Sequence, residues 1–156
     1  MRGIAGAAGV DVSLIAYYFG AKDRLFVESL RLPVNPGDAI EALLQGSRDD
    51  LGDRFVRRLL AVWDEPATGG PLLNVVRSAA GEADMLREFM ESQILARLAP
   101  AIGGPDAELR AAAVATQVFG LIFLRYVLQV EPLASADHDT LAALFGPTLQ
   151  RYVVDG

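Results

Sequence analysis

Between Ala111 and Leu124 the chain carries no charged residue. The run belongs to a segment that reads as one helix from Pro105 to Val130, opened by the break at Gly103-Gly104-Pro105. Wound as a helix, Ala112, Val114, Ala115, Val118, Phe119, Leu121, Ile122, Phe123 and Leu124 lie all around it. A helix that is apolar on every side must be covered on every side. A membrane could do this only over about 20 apolar residues. The uncharged run is shorter and contains Thr116, Gln117 and Gly120. A bundle of helices can bury one side, and the other side then needs a partner, which Gly120 would let approach closely. The competing reading is the central core helix of a monomer.

The rest of the chain also speaks for helices and for no strand, so the expected fold class is all-α. Short helices are expected up to Gly9, from Val12 to Tyr18, and from Ala21 through Leu25, Phe26 and Leu30. Gly9 suits the left-handed end of a helix. Pro33 and Pro36-Gly37 break the chain and mark a boundary, giving a head over 1–32 and a body over 33–156. In the body, helices are expected at Asp38–Gln45, Asp50–Trp63, Leu72–Ser78 and Asp84–Leu98, with Glu65 to Pro71 as a loop. After the long helix and a turn at Pro132–Ala136, Asp137 can cap a last helix reaching Val153, with Pro147 kinking it.

At 156 residues and 52% hydrophobic composition, one well-buried domain with a small appendage is within reach. There is no cysteine, which excludes disulfides and thiolate metal sites. No basic-then-apolar leader pattern opens the chain, and a cytoplasmic protein is expected. The net charge of −6 argues against coating nucleic acid with the whole surface. In the first 31 residues, however, Arg2, Lys22, Arg24 and Arg31 outnumber Asp11, Asp23 and Glu28 by one. The body carries the whole deficit.

The head has the spacing of a helix-turn-helix. Such a motif needs a small residue where its helices cross, a glycine at the turn and apolar residues that lock the pair. Ala5, Gly9, and Ile4, Val10 and Ile15 supply these parts. The second helix then exposes Val12, Ser13, Leu14 and Tyr17, short or aromatic side chains that could meet base edges and thymine methyls in a major groove. Spacing alone would equally allow a plain helical hairpin.

The string from Ile4 to Phe26, with Ile4-Ala5, Ala8-Gly9-Val10, Tyr18-Phe19, Gly20-Ala21-Lys22-Asp23 and Leu25, resembles the DNA-binding signature of the TetR family. The resemblance implies that the second helix reads bases, and that Tyr18 and Lys22 hold phosphates. A lysine at a helix N-terminus suits this physically, because backbone N–H groups and the ammonium converge there. Arg2 is counted with the same DNA-facing set. Two departures stand out: Ala16 occupies a position commonly tyrosine in the family, and the family has a full helix before Ile4. The expectation is therefore an N-terminally truncated head lacking its first helix.

The resemblance further implies a regulatory body whose last two helices form a four-helix dimer interface. The helices at Pro105–Val130 and His138–Val153 occupy those places. Polar residues on apolar helices mark a candidate effector pocket, because buried polar groups need partners. Trp63, Asn74, Arg77, Phe89, Gln93, Gln117, Phe123 and Tyr126 are the expected lining, and Arg77 or Arg125 could hold a single carboxylate. The plainer alternative pairs these arginines with Glu82, Glu88 or Glu131 in salt bridges.

No catalytic set is complete. His138 is the single histidine, sits in Asp137-His138-Asp139, and reads as solvated. Serine-histidine-aspartate, cysteine-histidine and zinc constellations lack parts. The expected protein is not an enzyme, needs no cofactor or metal, and does not enter a membrane. Its expected partners are a double-stranded DNA operator, a small apolar or aromatic effector that releases it, and a second copy of itself. The alternative is a ligand-binding and dimerisation module without DNA binding.

Overall fold

The computed structural model describes residue 9, residues 34–79 and residues 83–154. The chain divides into two units, Met1–Leu32 and Pro33–Gly156. In the first, Gly9 has φ +66°, the left-handed conformation that glycine adopts without steric cost. The side chains proposed from sequence to face DNA, Arg2, Val12, Ser13, Leu14, Tyr17, Tyr18 and Lys22, lie outside the described residues.

The described part of the second unit is built of helices joined by turns. In order it has α1 (Pro36–Leu44), α2 (Leu51–Asp64), α3 (Pro66–Ala79), α4 (Ala83–Phe89), α5 (Ala96–Ile102), α6 (Ala107–Ile122) and α7 (His138–Val153). A π-helical turn at Met90–Leu95 joins α4 to α5, and a second at Phe123–Val127 prolongs α6.

Two signals read as chain breaks are helix starts. Pro36 and Gly37 open α1, because the Asn35 side chain accepts the Gly37 N–H at 2.9 Å and proline suits the first helical position. Pro66 likewise opens α3, so the expected loop at 65–71 is mostly helix. Gly69 serves packing, since a Cβ on it would stand 1.9 Å from the Trp63 carbonyl oxygen, whereas one on Gly70 would meet nothing within 4 Å. The Thr68 hydroxyl donates to the Val62 carbonyl across the same junction. The helix expected to begin at Pro105 begins at Ala107 and ends at Val127 with its π-helical turn, while Gln129 has φ 53°.

The core is local amphipathicity made tertiary. Gly52, Val56 and Leu60 recur four residues apart on α2 and are buried, with Leu51 buried at its start, while Arg57 and Arg58 are exposed away from that stripe. Leu51, Val56 and Leu60 pack against Leu141, Ala142, Leu149 and Val153 of α7 and Val114 and Leu121 of α6. The Gln150 side chain ties α7 to the start of α2, accepting the Gly52 N–H at 2.8 Å and donating to the Arg48 carbonyl at 2.6 Å. Arg110 donates to the Tyr152 carbonyl at 2.8 Å, a cation at the C-terminal end of α7 where the helix dipole favours it. Pro147 stands inside α7, and the helix continues through it. The missing N–H falls opposite Ala143, which is exposed and open to water.

Candidate functional site

The C-terminal end of α2 delivers Trp63 and Asp64 side by side. Tyr126, on the π-helical turn after α6, meets both. Its ring stacks on Trp63 with centroids 5.2 Å apart and planes 27° apart, and its hydroxyl donates to Asp64 Oδ1 at 2.8 Å. Asp64 Oδ2 lies 2.6 Å from His138 Nε2, at the first residue of α7. Asp137 caps that helix by accepting the Thr140 N–H at 2.7 Å. Asp139 takes Arg57 of α2 at 2.5 Å, and Asp53 takes the same guanidinium at 2.8 Å. Each residue of Asp137-His138-Asp139 thus has a separate task.

Arg125 completes the cluster. Its side chain is 9% exposed and its guanidinium lies 5.4 Å from the Tyr126 ring centroid. Nη1 donates to the Leu133 carbonyl and, at 2.9 Å, to that of Ala136, holding the connection into α7. Nη2 stands 3.8 Å from Asp64, an attraction through space rather than a hydrogen bond. Burial pushes the Asp64 carboxyl up, but the bonds from His138 and Tyr126 and the charge of Arg125 outweigh it, so its pKa falls below the ordinary aspartate value. Burial first, and then the bond to Asp64, push the Tyr126 phenol well above its usual value.

These contacts correct several readings of the sequence. His138 is paired rather than simply solvated, and Arg125 turns to Asp64 rather than to a glutamate. Glu131 instead accepts the Ser135 hydroxyl at 2.6 Å. Glu82 lies outside the described residues. An effector carboxylate at Arg125 would meet the Asp64 charge and a guanidinium already given to two carbonyls. Sequence reasoning missed Asp64 altogether. Its position beside the single tryptophan was the available hint, but its partners are 62 and 74 residues away.

Of the residues proposed to line a pocket, Trp63 and Tyr126 are in contact. Phe123 is half-buried and stacks on Phe119, with centroids 5.9 Å apart. Gln93 is buried on the turn at Met90–Leu95, where its Nε2 donates to Ser92 Oγ at 3.2 Å. Phe89 and Gln117 are half-buried, whereas Asn74 and Arg77 are exposed on α3. Gln93, Phe123 and Tyr126 all stand on π-helical turns, which recur at functional sites because the extra residue re-aims side chains. A separate concavity of about 360 Å³ is lined by Ala42, Leu43, Arg54, Arg57 and Arg58, with none of the proposed lining residues.

The long helix is covered on one side only. Ala111, Val114, Ala115, Leu121 and Ile122 are buried, while Leu109 and Leu124 are 73% and 38% exposed and a Cβ on Gly120 would meet nothing within 4 Å. On α7, Thr140, Ala143, Leu144, Pro147 and Arg151 form an exposed stripe at helical spacing, with Leu144 at 62%. With its π-helical turn, the segment Ala107–Val127 is long and apolar enough by composition to cross a membrane, beyond the shorter run apparent in sequence.

Residues 49–153 match the family described as tetracyclin repressor-like, C-terminal domain. The chain belongs to the TetR family. The solved structure of a TetR-family regulator from Streptomyces coelicolor A3 is 44% identical, matching 99% of this chain and 82% of that one with a TM-score of 0.66. No curated protein shows a significant match. As a TetR-family member the chain is a transcription regulator, and α6 and α7 are helices of its C-terminal domain.

Proposed function

We infer that this regulator is a DNA-binding repressor, acting in the cytoplasm as a homodimer on a palindromic operator and released by a small apolar or aromatic effector. The observation that carries this reading is the 44% identity to a TetR-family regulator over 99% of the chain, head and body together. In the head, Val12, Ser13, Leu14 and Tyr17 read base edges, and Arg2, Tyr18 and Lys22 hold phosphates. In the body, the uncovered stripes of α6 and α7 meet the same stripes of a second copy, an isologous contact with Leu144 near the open space at Gly120. Roughly 2,000 Å² of surface buried in total would suit such a permanent dimer.

The effector enters among Trp63, Phe89, Gln93, Gln117, Phe123 and Tyr126, with Asn74 and Arg77 at the exposed margin. Support comes from the aromatic stacks and the buried amide of Gln93. A neutral molecule suits this region better than an anion, because Asp64 repels a carboxylate. Release follows if the effector favours a dimer whose heads are mis-spaced for the operator.

The test is a gel-shift titration of the whole chain with DNA from upstream of its own gene. A retarded band that survives non-specific competitor and disappears with an effector is the expected result. Absence of any shift at micromolar protein and low salt would leave a ligand-binding and dimerisation module instead.

A further inference from the structure

Three segments meet at one carboxylate. Asp64 closes α2, accepts the Tyr126 hydroxyl from the π-helical turn, pairs with His138 at the start of α7, and attracts Arg125. Through Arg125 it also reaches the carbonyls of Leu133 and Ala136 in the connection before α7. Its neighbour Trp63 stacks on the same Tyr126. The aromatic pair and the first turn of α7 therefore share a single acceptor. The acceptor is half-exposed, so each donor can be exchanged for water one at a time.

We propose that Asp64 is the positioning residue that couples the Trp63–Tyr126 stack to the N-terminal turn of α7. The proposal rests on the reading of that stack as part of the effector region and of α7 as a dimer helix, but the coupling itself needs neither. The two oxygens divide the work: Oδ1 takes Tyr126 and Oδ2 takes His138. Both oxygens are fixed on one planar carboxyl, so turning Oδ1 to follow a displaced Tyr126 turns Oδ2 away from His138. A molecule that moves Tyr126, or takes its hydroxyl, then loosens the first turn of α7. In the opposite direction, losing the imidazole frees the carboxylate and lets the stack relax. The Arg57–Asp139 pair fastens the same turn of α7 to α2 independently, so this turn loosens without detaching.

The experiment is a set of single and double variants of the full chain, read by amide hydrogen exchange over 139–144 and by Trp63 emission. Tyr126→Phe removes only a hydroxyl and is expected to speed exchange in the first turn of α7 roughly three- to ten-fold, the worth of one hydrogen bond. His138→Gln is expected to shift Trp63 emission, although His138 makes no ring contact with Trp63. Both effects should vanish in the Asp64→Ala background and be intermediate in Asp64→Asn, which keeps one acceptor oxygen and loses the charge. Unchanged exchange in Tyr126→Phe overturns the proposal, as does persistence of either effect without Asp64. Should Asp64→Ala fail to fold, the Asp64→Asn background decides the matter by the same additivity test. Because no effector or DNA is added, failure here leaves the repressor reading intact, and failure of the gel shift leaves this coupling intact.

Discussion

Gly52 of α2 and Gly146 of α7 cross with almost no space between their backbones. A Cβ on Gly52 would stand 2.1 Å from the Gly146 carbonyl oxygen, and one on Gly146 would stand 3.2 Å from Asp53 Cα. Backbone cannot rotate out of the way as a side-chain tip can. Gly52→Ala is therefore expected to destabilise the fold by about 2–3 kcal/mol, the usual cost of forcing atoms into a close-packed contact. Urea unfolding followed by Trp63 fluorescence measures it. Gly146→Ala, with the longer approach, should cost less.

Gly120 is the opposite case. Within one chain a Cβ there meets nothing, so Gly120→Ala should be neutral or stabilise by about 0.5–1 kcal/mol through helix propensity. Gly120→Leu should instead weaken self-association if a second copy packs into the open space as proposed. Leu144→Asp should do the same by placing a charge on the exposed stripe. Sedimentation velocity from nanomolar to micromolar concentration separates the outcomes. A wild-type chain that stays monomeric throughout would remove the homodimer from the proposed function.

For the head, Lys22→Ala is expected to weaken binding to every duplex alike and to lower the salt dependence of log K by about one phosphate contact. Tyr17→Ala should alter preference among operator sequences while leaving the salt slope in place. Titrations at several salt concentrations with operator and scrambled DNA distinguish a phosphate contact from a base contact. Equal and unaltered affinities for both variants would reassign the head.

The lowered pKa of Asp64 has a thermodynamic consequence. A carboxyl that is more acidic in the folded state adds stability above its unfolded pKa and loses it as pH falls through the folded value. The contribution should be complete above the ordinary aspartate range and disappear below it. The group is partly open to solvent, so the contribution is at most about 1 kcal/mol. Asp137, bonded to the Thr140 backbone N–H, is shifted in the same direction and contributes in the same window. The difference between wild type and Asp64→Asn isolates the first from the second. Thermal unfolding between pH 2.5 and pH 6 should show a flatter acid limb in the variant.

What could be read from sequence was governed by neighbours along the chain. The four-residue spacing of Gly52, Val56 and Leu60 makes α2 amphipathic in any context. Asp137 is followed three residues later by the amide it caps. The string from Ile4 to Phe26 carries its family signature in consecutive residues. The uncharged run at Ala111–Leu124 announced a helix with more apolar surface than one bundle covers, and Leu124 remains partly exposed. Tertiary structure decided everything that depends on which helices touch. Gly69 and Pro66 look like a loop until α3 must pass close to the Trp63 carbonyl, and only then is a missing side chain a packing device. The π-helical turn that presents Tyr126 has an ordinary helical sequence. Asp64 and His138 are each unremarkable helix-end residues, 74 positions apart. Their pairing arises because α2 and α7 are pressed together along Leu60 and Leu141, with Gly52 and Gly146 allowing the approach. Periodicity is a property of a segment, whereas a contact is a property of two segments, and no single segment records its partner.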